Sequence, residues 1–288
     1  MTARVAFGER AKAVGAAVAW LALFVAIGIG VTILLSELIP AVGGRSWWLA
    51  RNGLEQATGF AVATVVAGYW LNRHSWERMG WRFDRGLPWR LLRGTGVGVV
   101  LAAIAVGLTL LAGGAAIRLT PSLAQWPGVA GPIALGLVAA ALAEELWFRG
   151  YPLRRLAEAV GPVPALAVVS LGFGAVHLGN PNPTVFSTAN IVLAGVWLSL
   201  AFFSPGGMPF AWGLHFGWNG ALALVFDAPV SGFAFDVPGV DYVPGARWWI
   251  DGGRFGPEGG LVGTVALVIG VLLILGRGVR ARPAWLAA

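Results

Sequence analysis

The chain has 288 residues, of which 57% are hydrophobic and only 11% charged, and its mean hydropathy is +0.75. Soluble globular chains carry about 25% charged residues, so this composition cannot cover a water-facing surface and excludes a disordered protein, a nucleic-acid-binding module and an ordinary cytosolic enzyme. A net charge of +7 in such a chain reports membrane topology before it reports an anionic partner, and the absence of cysteine removes disulfides, thiol nucleophiles and thiolate-bound metals.

A transmembrane helix needs about 20 mostly apolar residues. By that measure the chain offers eight spans, at about 14–38, 54–72, 95–117, 131–149, 162–178, 187–204, 208–227 and 259–276. The first is too long for a removable signal peptide and has no small-residue cleavage site. Breaks such as Gly161-Pro162 and Pro205-Gly206-Gly207 separate the later spans, and 43 glycines suit helices that approach closely in lipid. No internal repeat is visible, so an inverted-repeat transporter has no support. The expected fold is an all-α, polytopic membrane bundle forming one domain over 1–288.

Charge tests the topology separately. An even number of spans puts both termini on one side with the loops after spans two, four and six. That side holds Arg4, Arg10, Lys12, Arg73, Arg78, Arg82, Arg85, Arg90, Arg93, Arg149, Arg154, Arg155, Arg277, Arg280 and Arg282, which are 15 of the 20 basic residues. The other side holds Arg45, Arg51, Arg118, Arg247 and Arg254, against seven acids. The positive-inside rule then places both termini in the cytoplasm, as for a multi-pass protein of a bacterial-type inner membrane. The arginine- and tryptophan-rich stretch 73–93 reads as a segment at the cytoplasmic headgroup layer, and the outer stretch 228–258 as a solvated connection in preference to a lid.

Ionisable residues inside spans cost about 2.5–3.5 kcal/mol each on insertion scales, so the few present are candidates for function. Glu144, Glu145 and Arg149 end the fourth span, His177 ends the fifth, and His215 and Asn219 lie in the seventh. Two of the chain's three histidines are in this set. Glu145 and Arg149, four apart, can pair in the favourable acid-before-base order. Glu144 is about 100° round the helix from Glu145, which leaves it to face another helix. His215 and Asn219 share one face, and Gly213 and Gly217 lie on either side of His215. Three helices can thus bring together a carboxylate, two imidazoles and an amide, an inventory for hydrolysing an amide with activated water. The competing classes are a proton-coupled transporter, which would use the same groups as a relay, and a non-catalytic membrane scaffold.

Glu-Glu-x-x-x-Arg, Phe-x-x-x-His and His-x-x-x-Asn, in that order on successive spans, resemble the CPBP family of CAAX prenyl endopeptidases of the Ras-converting type and their bacterial, bacteriocin-linked relatives. The match covers about 131–227, the expected catalytic core. The resemblance implies an eight-helix intramembrane protease opening to the cytoplasm, with Glu144 as the water-activating base and Glu145 with Arg149 as its supporting pair. His177, His215 and Asn219 would complete the site. It implies a membrane-associated or prenylated peptide as substrate, the lipid bilayer as partner and no nucleic acid. Zinc held by Glu144, His177 and His215 and a metal-free glutamate mechanism both stay open. Glu144 lies five residues, roughly 7 Å, before the end of its span, so the arginines of 73–93 and 149–155 are expected to rim the mouth. Asn190 is expected to join helices, Phe173 to pack, and His74 has no assigned role.

Overall fold

A computed structural model describes residues 3–40, 43–121 and 123–278; Arg280 and Arg282 lie outside the described residues. The chain folds as a helical bundle with one short β-ribbon. In order it forms α1 (Ala3–Leu38), α2 (Arg45–Ala63) running into a π-helical stretch Thr64–Leu71, α3 (Leu87–Leu111), β1 (Ala115–Leu119), α4 (Trp126–Phe148), α5 (Gly150–Val160), α6 (Pro162–Val176) and α7 (Val185–Phe203). Then follow α8 (Gly207–Gly220), continued by a π-helical turn Ala221–Val225, β2 (Val240–Pro244), the single-turn α9 (Trp248–Asp251) and α10 (Leu261–Gly278).

Among the described residues five helical stretches are long and apolar enough to cross a membrane: Gly8–Leu38, Leu87–Leu111, Trp126–Val160, Pro162–Gly179 and Val185–Phe203. The other three expected spans fall on α2, α8 and α10. Helix α2 carries Arg51, Asn52, Glu55 and Gln56, α8 is only 14 residues long, and the apolar stretch of α10 is short. The expectation of an all-helical chain is corrected in one place: residues 115–117, read as the end of a span, belong to β1, which pairs antiparallel with β2 so that Arg118 faces Asp241. Gly113 (φ +61°) and Gly114 break α3 before that strand.

Helix packing rests on missing side chains. A Cβ on Gly213 or Gly217 of α8 would collide with the carbonyls of Leu91 and Thr95 on α3, and one on Gly98 with that of Leu214. The two backbones therefore run parallel in direct contact, the close approach that small residues permit in lipid. Gly53 of α2 and Gly136 of α4 meet in the same way. These contacts fix α8 and α4, the helices that carry His215 and the two glutamates.

The bundle has two ends. One carries the start of α1, the 72–86 turns, the α5–α6 turn and the α7–α8 turn, and is tied by the Met208 amide donating to the Gly80 carbonyl at 3.0 Å. The other carries the α1–α2 turn, the β-ribbon, the 177–184 loop and the 226–260 segment. It is tied by Arg45 to Asp236 (3.1 Å) and by the Asn180 amide to the Ser231 carbonyl (3.0 Å).

Between α4 and α5 the chain turns at Gly150, whose φ of +51° favours glycine. Met79, Tyr151 and Met208, all fully buried, close around that turn. Helix α5 is amphipathic, and its Glu158 gathers His74 (3.2 Å), Arg78 (3.1 Å), Arg154 (3.3 Å) and Arg155 (3.6 Å).

Candidate active site

The site is built from α4, the end of α6, and α8. On α4, Glu145 and Arg149 sit one turn apart and are both 0% exposed, with Arg149 Nη1 donating to Glu145 Oε1 at 3.2 Å. The guanidinium also reaches the Gly195 carbonyl on α7 (3.3 Å) and lies 4.4 Å from the centre of the Phe173 ring. These partners offset the cost of burying the charge, although Arg149 Nε and Glu145 Oε2 are buried without a hydrogen-bond partner. Glu145 Oε1 makes a second bond, to His215 Nδ1 at 2.9 Å. The expected pairing of Glu145 with Arg149 is thus present, and it extends to a histidine 70 residues further along the chain.

Glu144 points elsewhere, as the 100° step requires. Its Oε2 lies 3.7 Å from His215 Nε2 and 3.8 Å from His177 Nε2. That oxygen is buried and has no hydrogen-bond partner within the protein. His177 Nδ1 lies 2.7 Å from the Phe173 carbonyl, which can only accept, so that nitrogen carries the proton. The Glu145 carboxylate assigns the same tautomer to His215. Both rings therefore turn Nε2 toward Glu144 Oε2. At 3.7 and 3.8 Å neither ring bonds Glu144 Oε2 directly, and a water between them can donate to that oxygen while meeting an imidazole nitrogen.

Zinc accepts two imidazoles and a carboxylate as ligands. The observed separations are wider than the roughly 3.3 Å between two donors of a tetrahedral zinc at 2.0–2.1 Å. Among the described residues no three His, Asp or Glu side chains are grouped so as to hold a metal ion.

Glu144, His177, His215 and Asn219 line the inner end of a cavity of about 650 Å3. Asn219, one turn after His215, has no protein hydrogen bond among the described residues, so its amide is free to meet a ligand. The walls are mostly apolar, with Trp147, Phe148, Trp197 and Trp218 among aliphatic side chains, while Asn52 and Gln56 of α2 add an amide edge. The mouth is formed by Arg45, Trp48, Asn180, Phe233 and Asp236.

That mouth corrects two expectations. The arginines of 73–93 and 149–155 do not rim the cavity. They lie at the opposite end of the bundle, where the buried Met79, Tyr151 and Met208 pack around Gly150 and where Arg154 and Arg155 are engaged by Glu158. The reason is that α5 and the 72–86 turns pack beneath the glutamates, so nearness of Glu144 to a helix end gives no access there. Nor is 228–258 merely a solvated connection, because residues 230–236 and Glu258 line the cavity.

Glu258 was not singled out from the sequence. It is buried, accepts from Trp218 Nε1 at 2.8 Å and from Ser231 Oγ at 2.9 Å, and so holds the mouth loop against α8. A lone carboxylate in the glycine- and proline-rich stretch just before the last span was the available signal. Asn190 ties helices as expected: its amide donates to the carbonyls of Glu258 (2.8 Å) and Gly260 (2.9 Å), and its oxygen accepts from Thr264 (2.7 Å).

No curated protein matches the chain. Residues 125–221 match the family described as type II CAAX prenyl endopeptidase Rce1-like, and this stretch, which holds all six of the residues singled out by spacing, is an Rce1-like CAAX prenyl endopeptidase domain.

Proposed function

We propose that the protein is an intramembrane endopeptidase that cleaves a membrane-associated or lipidated peptide with water activated by Glu144. An Rce1-like domain implies a peptidase and a peptide substrate, and the long apolar helices imply a membrane setting. The observation that carries the mechanism is the unpartnered Glu144 Oε2 facing the Nε2 atoms of His177 and His215.

A water held there points one hydrogen at Glu144 and leaves a lone pair for a carbonyl carbon entering from the cavity. Glu144 takes the proton as the new C–O bond forms. The carbonyl oxygen becomes an oxyanion, which Asn219 meets with its amide N–H. When the C–N bond breaks, the proton passes from Glu144, directly or through a histidine Nε2, to the leaving nitrogen. The products are a carboxylic acid and an amine. Glu145 and Arg149 act through His215: the carboxylate fixes the ring's tautomer and supports its charge if Nε2 is protonated in passing, as an acidic partner does for a catalytic histidine. Zinc would add Lewis-acid polarisation of the carbonyl if it were bound, but the spacing of the three donors gives no reason to invoke it.

Purified protein in detergent, incubated with a peptide library and analysed by mass spectrometry, tests this reading. Fragments that disappear in Glu144→Ala support it. No fragments from the unaltered protein, or undiminished cleavage by the variant, reject it and return the choice to a transporter or a scaffold.

A further inference from the structure

Resting on that peptidase reading, we infer that the cavity opens to the extracytoplasmic face, and that its substrate is a peptide presented from outside while tethered to the membrane by an apolar or acylated segment. The inference joins two observations. Among the described residues, the cavity that holds Glu144 is lined as far as the end of the bundle bearing the α1–α2 turn and the 226–260 segment, by Arg45, Asn180, Phe233 and Asp236. No residue of the opposite end's 72–86 turns or of α5 lines it, and Met79, Tyr151 and Met208 are packed there with no exposure. Charge then says which end is which.

The closed end carries the arginines of 73–93, 154–155 and the start of α1, together with Arg277, even without Arg280 and Arg282. The open end carries Arg45, Arg51, Arg118, Arg247 and Arg254, offset by Glu37, Glu55, Asp227, Asp236, Asp241, Asp251 and Glu258. Positive charge stays in the cytoplasm during insertion, so the closed end is the cytoplasmic one. A cytoplasmic mouth would require the arginine-rich end to be translocated.

The mouth also sits at a bilayer boundary. Trp47, Trp48, Trp248 and Trp249 are each about half exposed at that end, as is Phe233 on the mouth itself, forming the aromatic girdle that marks a headgroup layer. A substrate anchored in that leaflet is delivered to the mouth in two dimensions. Inside, apolar aromatic walls and the amides of Asn52, Gln56 and Asn219 suit an extended, uncharged peptide segment. Apart from His177 and His215, the basic side chain nearest Glu144 in the chain is the sealed Arg149 on the same helix.

The chain has no cysteine, which makes the test direct. Ala246→Cys, exposed in the loop after β2, and Ser75→Cys, exposed in the 72–86 turns, are treated in spheroplasts with a membrane-impermeant maleimide. The inference expects Ala246→Cys to be labelled in sealed spheroplasts and Ser75→Cys only after permeabilisation; the reverse pattern overturns it. In parallel, a quenched fluorescent peptide carrying an acyl anchor is added to right-side-out and to inverted membrane vesicles. Cleavage is expected in the first and lost in the second, and lost from both in Glu144→Gln. Equal cleavage in both vesicle types overturns the delivery route. Expected labelling with no cleavage in either type upholds the orientation and rejects the peptidase reading on which the substrate rests.

Discussion

Glu144 and Glu145 are adjacent in sequence but answer to different physics, and their isosteric replacement should separate them. Glu145→Gln removes the negative charge that faces Arg149 at 3.2 Å and His215 at 2.9 Å, in a place where both Glu145 and Arg149 are 0% exposed. Breaking a fully buried ion pair from one side costs about 3–5 kcal/mol. Gly195's carbonyl and the Phe173 ring remain as partners for the guanidinium, which favours the lower end, about 3 kcal/mol. At about 2–4 °C per kcal/mol for a chain of this size, the midpoint should fall by roughly 6–12 °C. Glu144, by contrast, is 30% exposed in its side chain and its Oε2 has no protein hydrogen bond, so Glu144→Gln should leave the midpoint within about 2 °C while lowering turnover by about 10²–10⁴-fold. The double variant Glu145→Gln/Arg149→Met removes both buried charges and should recover much of the lost stability, but not activity, because His215 Nδ1 still lacks its carboxylate. Thermal unfolding in detergent and peptide turnover, measured on the same preparations, read both effects. A Glu145→Gln protein as stable as the unaltered chain, or equal stability losses in the two single variants, would refute the division.

Asn219→Ala should lower kcat by about 10²–10³-fold, the loss typical of one oxyanion donor, without moving the unfolding midpoint, since the amide has no protein partner; a matching loss of stability would make it structural. Gly217→Ala forces a Cβ into the Thr95 carbonyl and should cost about 1–3 kcal/mol by overpacking and displace His215. Gly107→Ala, on α3 with nothing near the added Cβ, should be neutral or gain about 0.5–1 kcal/mol, and an equal loss in both would show that helix packing is not the cause. Arg155→Gln, at the closed end beside Glu158, should leave KM for an anchored peptide unchanged, and a raised KM would bring the arginine rim back into play. Elemental analysis of fully active protein decides the metal question: full activity with far less than one metal per chain excludes a catalytic zinc, and activity that tracks zinc content requires one.

The candidate chemistry was legible in the sequence because it rests on short spacings. A spacing of four positions from Glu145 to Arg149, and from His215 to Asn219, fixes a shared helix face whatever the fold, and the 100° step from Glu145 sends Glu144 to another neighbour. The scarcity of charge inside apolar spans then singled out the same residues on energetic grounds. Positions whose role depends on distant partners were less visible. Glu258 matters because Trp218 and Ser231 come to it across 40 and 27 residues, and no local pattern encodes that. The end of the third span was misplaced because α3 gives way to a strand whose partner lies more than 120 residues away.

Composition and charge alone determined that this chain is a membrane protein with a strongly basic and a more acidic side, because hydrophobicity and positive charge act during insertion on each segment in turn. Periodicity alone determined which side chains share a helix face. Only the tertiary structure decided that Glu144, His177 and His215 converge, since that depends on the glycine-mediated contacts setting the depth of α4 against α8. It also decided that the cavity opens away from the arginine-rich side. Access depends on which end of the bundle is filled, and here Met79, Tyr151 and Met208, drawn from three separate segments, fill the end nearer to Glu144 along its own helix.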